Sequence, residues 1–429
     1  MRSFSRRQFL KAGSGAALLA SLAPLSGCVA NPDKSASHIV IVGGGYGGAT
    51  VAKYLRMWSA GSVQVTLVER DASFISCPIS NLVVGGSKTL ADITLSYETL
   101  RTKWGVRVIQ DEVVGIDADK RSIRLAQGGE IAYDRLVLSP GIDFMWERLP
   151  ALNNADAQNE ILHAWKAGAQ TVALRKQLEE MKNGGIFAIS IPKAPYRCPP
   201  GPYERASLVA AYLKANKPQS KVLILDANED IQSKKALFIK AWTDLYKGMV
   251  EYRPNSEVKD VDVASRTAIL EFDKVRADVL NVIPPQRAGR IANSAGLKLI
   301  NQRWVDIDWL SMESTSTPGI HVIGDAVFPA PTMPKSGHMA NQHAKVAAAA
   351  ILRLLAGEAP SPTPVVANVC YSFVSPLHAV HVASVHQYDP ASKTMQPVKG
   401  AGGLTPARNE FEAHIAMGWA KTIWADMLG

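Results

Sequence analysis

Cysteine is scarce in this chain: four in 429 residues. So few cannot staple a disulfide scaffold, and each one needs its own explanation. No apolar run reaches the ~20 residues of a membrane-spanning helix. Charged residues are only 20% of the sequence, against 47% apolar and nine Trp, and that balance excludes intrinsic disorder. What is present is globular composition, with a length that predicts two or three domains at ~150 residues each. The formal charge is +9.

Part of that charge belongs to an address. Arg6-Arg7, with Ser5 before and Phe9-Leu10-Lys11 after, leads into an apolar, Ala-rich stretch from Ala12 to Leu25. A cationic start, a short apolar run and small residues make a signal segment, and the arginine pair resembles the twin-arginine export signal. Gly13, Gly15 and Pro24 suit a buried helix badly. Leu25-Ser26-Gly27-Cys28 looks like a lipoprotein box, with Cys28 as the acylated residue and a tether to the membrane; ordinary cleavage nearby, after Ala30 for example, is the alternative. Either way the mature protein is expected in the periplasm. Removal of Arg2, Arg6, Arg7 and Lys11 takes four positive charges and no negative one, leaving +5, which is too diffuse to argue for nucleic acid.

The mature chain opens on a dinucleotide site. His38 to Val42 is a β-branched run, followed by Gly43-Gly44-Gly45-Tyr46-Gly47-Gly48 and a helical stretch over 49–58. Strand, Gly-x-Gly-x-x-Gly and helix form the unit the motif requires. Gly43 allows the tight turn, Gly45 the approach of a pyrophosphate and Gly48 the close packing of helix on strand. The next strand, over 63–68, ends at Glu69, 21 residues past Gly48, where an acid binds ribose hydroxyls. Two distant segments choose FAD over NAD. Tyr133 to Gly141 resembles the strand-and-turn of flavoproteins with two dinucleotide domains. Gly319 to Ala326 resembles their FAD-closing segment, with Asp325 at the ribityl phosphate. Gly337 to Leu355 reads as a helix whose N-terminus stabilises a reduced flavin, or simply as core.

A second Rossmann lobe follows without its glycine motif. A strand over 184–191, a helix over 204–214 and a strand over 221–226 are present. Between the first two lies Pro192-Lys-Ala-Pro-Tyr-Arg-Cys198-Pro-Pro-Gly-Pro-Tyr203. Five prolines remove amide donors and block a tight glycine turn, so NAD(P) binding is not expected. Cys77, Cys198 and Cys370 remain in the mature chain, and two of them could pair, structurally or as a redox relay beside the flavin. Cys77 reads as a buried thiol or as a covalent thioether to the flavin.

Longer motifs then carry a resemblance over essentially the whole mature chain. Cys198-Pro-Pro-Gly-Pro-Tyr-Glu204-Arg-Ala-Ser207, His163-Ala-Trp-Lys-Ala-Gly168, Ile283-Pro-Pro-Gln-Arg-Ala-Gly289 and Met333-Pro-Lys335-Ser-Gly337 resemble the flavoprotein subunit of flavocytochrome c sulfide dehydrogenase. The fold this implies is α/β, with two Rossmann-like domains of the glutathione-reductase kind plus a C-terminal α+β domain. The expected boundaries are 1–30 for the signal, 31–150 and 286–358 for the FAD domain, 151–285 for the second Rossmann-like domain and 359–429 for the C-terminal interface domain.

The resemblance also implies roles. Cys198 and Cys370 match a redox-active disulfide, Glu204 an acid beside it, Cys77 an 8α-thioether to FAD and Trp419 an aromatic near the flavin. Gly43, Gly45, Gly48, Glu69, Gly141, Asp325 and Lys335 complete the expected cofactor set. No metal site is expected. Sulfide would open the disulfide, and electrons would leave through FAD to a c-type cytochrome subunit. The haem lies on that partner, because this chain has no Cys-x-x-Cys-His. Two departures stand out: Pro78 and His338 occupy positions where aromatic residues are expected. Rival readings are a sulfide:quinone oxidoreductase and a flavoprotein that exchanges with a sulfur-carrier protein. An NADH-dependent disulfide reductase is disfavoured by the proline loop.

Overall fold

The structure is a computed structural model, and it describes residues 36–429. The arginine pair and Cys28 lie outside the described residues.

The first sheet is parallel throughout, with strands in the order Ile320–Val322, Arg135–Leu138, His38–Val42, Gln64–Glu69, Arg107–Gln110. Ile39, Val40 and Ile41 are fully buried, as a central parallel strand covered on both faces demands. Its outermost strand comes from residues some 180 positions further along than its neighbour, so the chain leaves this sheet and returns to close it. The helix after the first strand spans Tyr46–Trp58. It begins three residues earlier than the sequence predicts, and so takes Gly47 and Gly48 into its first turn. Close packing wins over propensity there: a Cβ on Gly48 would stand 1.7 Å from the Gly43 carbonyl oxygen.

The second parallel sheet runs Val250–Arg253, Lys221–Asp226, Ile186–Ile191, Val279–Val282. Its first crossover helix spans Gly201–Asn216 and also starts three residues before the expected Glu204. Pro202 is tolerated because the first turn of a helix has no N–H partner to lose. Asp226, at the end of its strand, is fully buried and accepts from Tyr203 Oη (2.7 Å), Tyr252 Oη (3.1 Å) and both nitrogens of Asn228. The carboxylate at this strand end is therefore committed inward.

The C-terminal part is a three-stranded antiparallel sheet, Val365–Phe373, Ala379–Asp389 and Thr394–Leu404, closed by a helix over Glu410–Leu428. The stretch 389–403, which reads as a surface hairpin, is the turn and outer strand of this sheet. The Gly337–Leu355 helix lies against Tyr46–Trp58, with Gly337 flush on the Tyr46 ring, where a Cβ would come within 3.0 Å. No described helix is long and apolar enough to cross a membrane.

Candidate active site

Two depressions meet at Cys77. The first is a groove lined by Gly45, Gly47, Glu69, Ser139, Gly141 and Asp325, and it reaches Cys77 and Gly337. Its floor is the glycine loop. Gly43 has φ of 96°, and a Cβ there would lie 2.4 Å from the Ser139 carbonyl oxygen, so the turn requires glycine. Gly45 meets nothing within 4 Å: it faces open space where a phosphate needs close approach. Glu69 Oε2 accepts from Gly44 N at 2.6 Å, which holds the acid against the loop. Gly141 adopts φ of 63° and also faces open space.

The N-terminal ends of two long helices, Tyr46–Trp58 and Gly337–Leu355, point into this groove, and neither has an acid in its first turn. Their free N–H groups and positive dipole ends suit an anionic ligand. A phosphate-bearing dinucleotide such as FAD fits this cradle.

Asp325 is at the groove. Burial pushes its carboxyl up, while Arg197 and Lys335 draw it down. Lys335 itself is not in the lining. Its ammonium turns inward, donates to the carbonyls of Asp325 (2.9 Å) and Val327 (2.5 Å), and sits 3.7 Å from the Trp304 ring centroid. Of the expected cofactor set, Gly43, Gly48 and Lys335 are not in the groove lining: the two glycines shape the loop, and Lys335 braces the Asp325 turn from behind.

The second depression is a cavity lined by Cys77, Cys198, Cys370, Glu204, His338 and Trp419, among others. It shares Cys77, Pro78, Arg197 and Gly337 with the groove. Three cysteines from positions 77, 198 and 370 thus line one space. Cys198 and Cys370 are not bonded to one another in this structure.

Cys198 sits in the proline loop with φ of 57°, its N–H given to the Lys335 carbonyl (2.8 Å). Burial pushes its thiol up, and the neighbouring Cys370 and Glu204 add to that. Cys370 lies on the Val365–Phe373 strand. It also lines a separate cleft of about 510 Å³ with Pro195, Pro199, Gln232, Thr332 and Val382.

Glu204 is buried rather than exposed. It accepts from Asn81 Nδ2 and from the Phe373 N–H, each at 2.8 Å. Burial raises its pKa against those two bonds and the nearby Lys234 and Arg205. Asn81 is turned to serve both neighbours: its amide nitrogen serves Glu204 and its oxygen accepts from Arg205 Nε at 3.0 Å. Arg205 is fully buried, with its remaining donors on Asn281 and on the carbonyls of His163 and Ala164.

His338 Nδ1 accepts from the Val369 N–H at 3.0 Å, which leaves the proton on Nε2. Trp419 lies with its ring between those of His338 (5.9 Å) and Tyr371 (6.0 Å). Three non-glycine residues of this lining, Ile79, Ala164 and Cys198, hold left-handed backbone (φ 77°, 45° and 57°). Each costs roughly 1–2 kcal/mol relative to ordinary backbone, and such strain gathers at functional sites.

Three family models match the chain. A model of the central part of the sulfide dehydrogenase (flavocytochrome c) flavoprotein chain matches residues 171–284, and one of the flavin-binding part of flavocytochrome c sulfide dehydrogenase matches 362–428. Residues 37–183 match a pyridine nucleotide-disulphide oxidoreductase model. The flavoprotein chain of Chlorobaculum thiosulfatiphilum sulfide dehydrogenase is 56% identical over 46 residues, which are 11% of this chain and 94% of that one.

This chain belongs to the flavocytochrome c sulfide dehydrogenase flavoprotein family.

That family is flavin-binding, and the two-lobed architecture is that of its wider superfamily. The mitochondrial sulfide:quinone oxidoreductase of Mus musculus is 26% identical over 315 residues, covering 68% of this chain but only 66% of that protein. The crystal structure of the sulfide:quinone oxidoreductase from Aquifex aeolicus superposes with a TM-score of 0.76 over 92% of each chain at 18% identity, which is a likeness of fold. Sequence reasoning missed Lys234, Arg205 and the bridging role of Asn81. Arg205 stands inside the motif Cys198 to Ser207 and Asn81 four residues past Cys77, whereas Lys234 carries no local signal.

Proposed function

We propose that this flavoprotein oxidises sulfide at the Cys198–Cys370 pair, with FAD as its cofactor and a c-type cytochrome subunit as its electron acceptor in the periplasm. The observation that carries the reading is the meeting of Cys198, Cys370 and Glu204 in one cavity that opens through Cys77 onto the dinucleotide groove.

In the oxidised enzyme the two cysteines form a disulfide. HS⁻ attacks one sulfur; the new S–S bond makes a persulfide, the old one breaks, and the other cysteine leaves as a thiolate with the electron pair. Glu204, whose pKa burial raises, takes the persulfide proton; a second HS⁻ then accepts the outer sulfur as polysulfide, leaving both cysteines as thiolates, and re-forming their S–S bond gives up two electrons. Arg197 and Gly337 line both depressions. FAD, when bound, supplies a two-electron sink that can be emptied one electron at a time. Gly43, Gly45, Gly48, Glu69, Gly141 and Asp325 would hold it, Trp419 would border it, and Cys77, at the junction, would anchor it as a thioether. Export by the twin-arginine route would deliver the folded, loaded protein.

Replacing Cys198 or Cys370 by Ser is expected to abolish sulfide-dependent bleaching of the flavin absorbance. Full bleaching in both variants would sink the relay. Cytochrome c and a soluble quinone, offered as alternative acceptors, decide between the cytochrome-linked enzyme and a quinone-linked one.

A further inference from the structure

Lys234 lies 36 residues beyond Cys198 in the sequence, in a Ser-Lys-Lys setting that marks nothing. The fold nevertheless places it at the cysteine pair. It precedes the Lys235–Leu245 helix in left-handed backbone (φ 57°), is only 5% exposed, and donates from Nζ to the carbonyl oxygen of Cys370 at 2.8 Å. Among the described residues no carboxylate comes within ion-pair distance of it; its one hydrogen-bond partner is neutral. The groups facing it that can become anionic are Cys370 on its strand, Glu204 on the Gly201–Asn216 helix and Cys198 on the proline loop.

Two other cations border this cluster. Arg205 spends its donors on Asn81, Asn281 and two carbonyls. Arg197 faces Cys198 and gives a donor to the Trp165 carbonyl. Lys234 alone among the three is bonded at Cys370. A buried ammonium without a counter-ion is costly, and an anion formed beside it offsets that cost. Opening of a disulfide forms one: the departing sulfur keeps the bonding pair as a thiolate.

We propose that Lys234 is the counter-cation of the thiolate at the Cys198–Cys370 pair, a positioning residue that favours the open, reactive form of that pair. The proposal rests on the reading of these two cysteines as the redox couple. Burial pulls the Lys234 ammonium down, and Cys370, Glu204 and Cys198 oppose that, so the proton is best held when one of them is charged.

Alkylation of the flavin-loaded, dithiol-reduced protein tests this. Cys370 lines the open cleft and is within reach of iodoacetamide, and peptide mass spectrometry separates its modification from that of Cys198 and Cys77. Lys234→Gln keeps a donor for the Cys370 carbonyl and loses the charge; Lys234→Met loses both. Both variants should alkylate Cys370 about tenfold more slowly near pH 7, with half-reaction shifted to higher pH by about one unit. Profiles within twofold of the parent in both, or slowing in Lys234→Met alone, would overturn the proposal, the second outcome marking a mere tether. If neither variant folds, Lys234→Arg carries the test: alkylation within about threefold of the parent supports a role for charge, and a tenfold loss refutes it. Alkylation consumes no sulfide. A parent that alkylates as expected but never oxidises sulfide would therefore defeat the substrate reading and leave this one standing.

Discussion

Glu204 and Lys335 are both buried ionisable side chains, and their surroundings set them different tasks. Glu204 faces the cavity with its carboxylate held by Asn81 and the Phe373 N–H, and burial lifts its pKa above the ordinary carboxylate range. Glu204→Gln should lower the rate of sulfide-dependent flavin reduction about 10²-fold and remove the limb of the pH–rate profile that the parent shows above that range; stopped-flow absorbance from about pH 5 to 9 reads both. Lys335 gives its ammonium to the Asp325 and Val327 carbonyls behind the groove. Burial pulls its ammonium down to about 7, against the Asp325 carboxylate, which holds the proton on.

Between that value and the ordinary one near 10.5, the unfolded chain binds the extra proton. Stability from this site is therefore lost below about 7 and recovered as pH rises through the window. Urea midpoints at about pH 7.5 and 9.5 should show the parent gaining on the order of 2 kcal/mol relative to Lys335→Met. An unchanged difference would mean that Lys335 keeps its proton in the fold.

At the scale of elements, the loop between the first strand and its helix does two jobs that different glycines serve. Gly48 is structural: a methyl there would run into the Gly43 carbonyl, and Gly48→Ala should cost about 3 kcal/mol or more of stability. Gly45 is open, with φ of −68°, which alanine accepts. Gly45→Ala should fold with a parental melting temperature yet retain far less flavin, as measured by the ratio of flavin to protein absorbance. Loss of stability in both variants, or in neither, would show that the two glycines do not divide the work.

The second Rossmann lobe shows the reverse arrangement. Its loop carries no glycine cradle, its strand-end Asp226 is capped by two tyrosines, and the space is used instead to set Cys198 against Lys335 and Glu204. Helix and strand existence was legible here from β-branched runs and the apolar stretches between them. The start of each crossover helix was not, because Gly and Pro in a first turn are tolerated by packing that propensity does not register.

For the whole molecule, three segments far apart in the chain close one site: the glycine loop with Cys77, the proline loop with Cys198 and Glu204, and the C-terminal sheet with Cys370. Its state of assembly has a direct readout. Purified from its native source with the proposed cytochrome subunit attached, the protein should show c-type haem bands beside the flavin absorbance. Acid precipitation should leave the yellow colour with the polypeptide if Cys77 bonds the flavin, and release it if that thiol is free.

The sequence alone determined the dinucleotide unit, the lack of a second glycine motif and the family, and it singled out the three cysteines that line the cavity. Each of these is written in short runs where backbone geometry or reactivity forces the residue type: glycine where a Cβ would collide, proline where an amide is dispensable, cysteine where nothing else can exchange. Tertiary structure alone decided which charges face those cysteines. Lys234 has no signature in its neighbours along the chain, and the sequence around Asn81 and Arg205 does not say what their side chains face. They matter because two sheets and a C-terminal hairpin bring them into a buried cluster, where charges act on one another more strongly than in water. Lys335, expected at the ligand, was turned behind it for the same reason: burial of its stem under the Asp325 turn fixes where its charge can go.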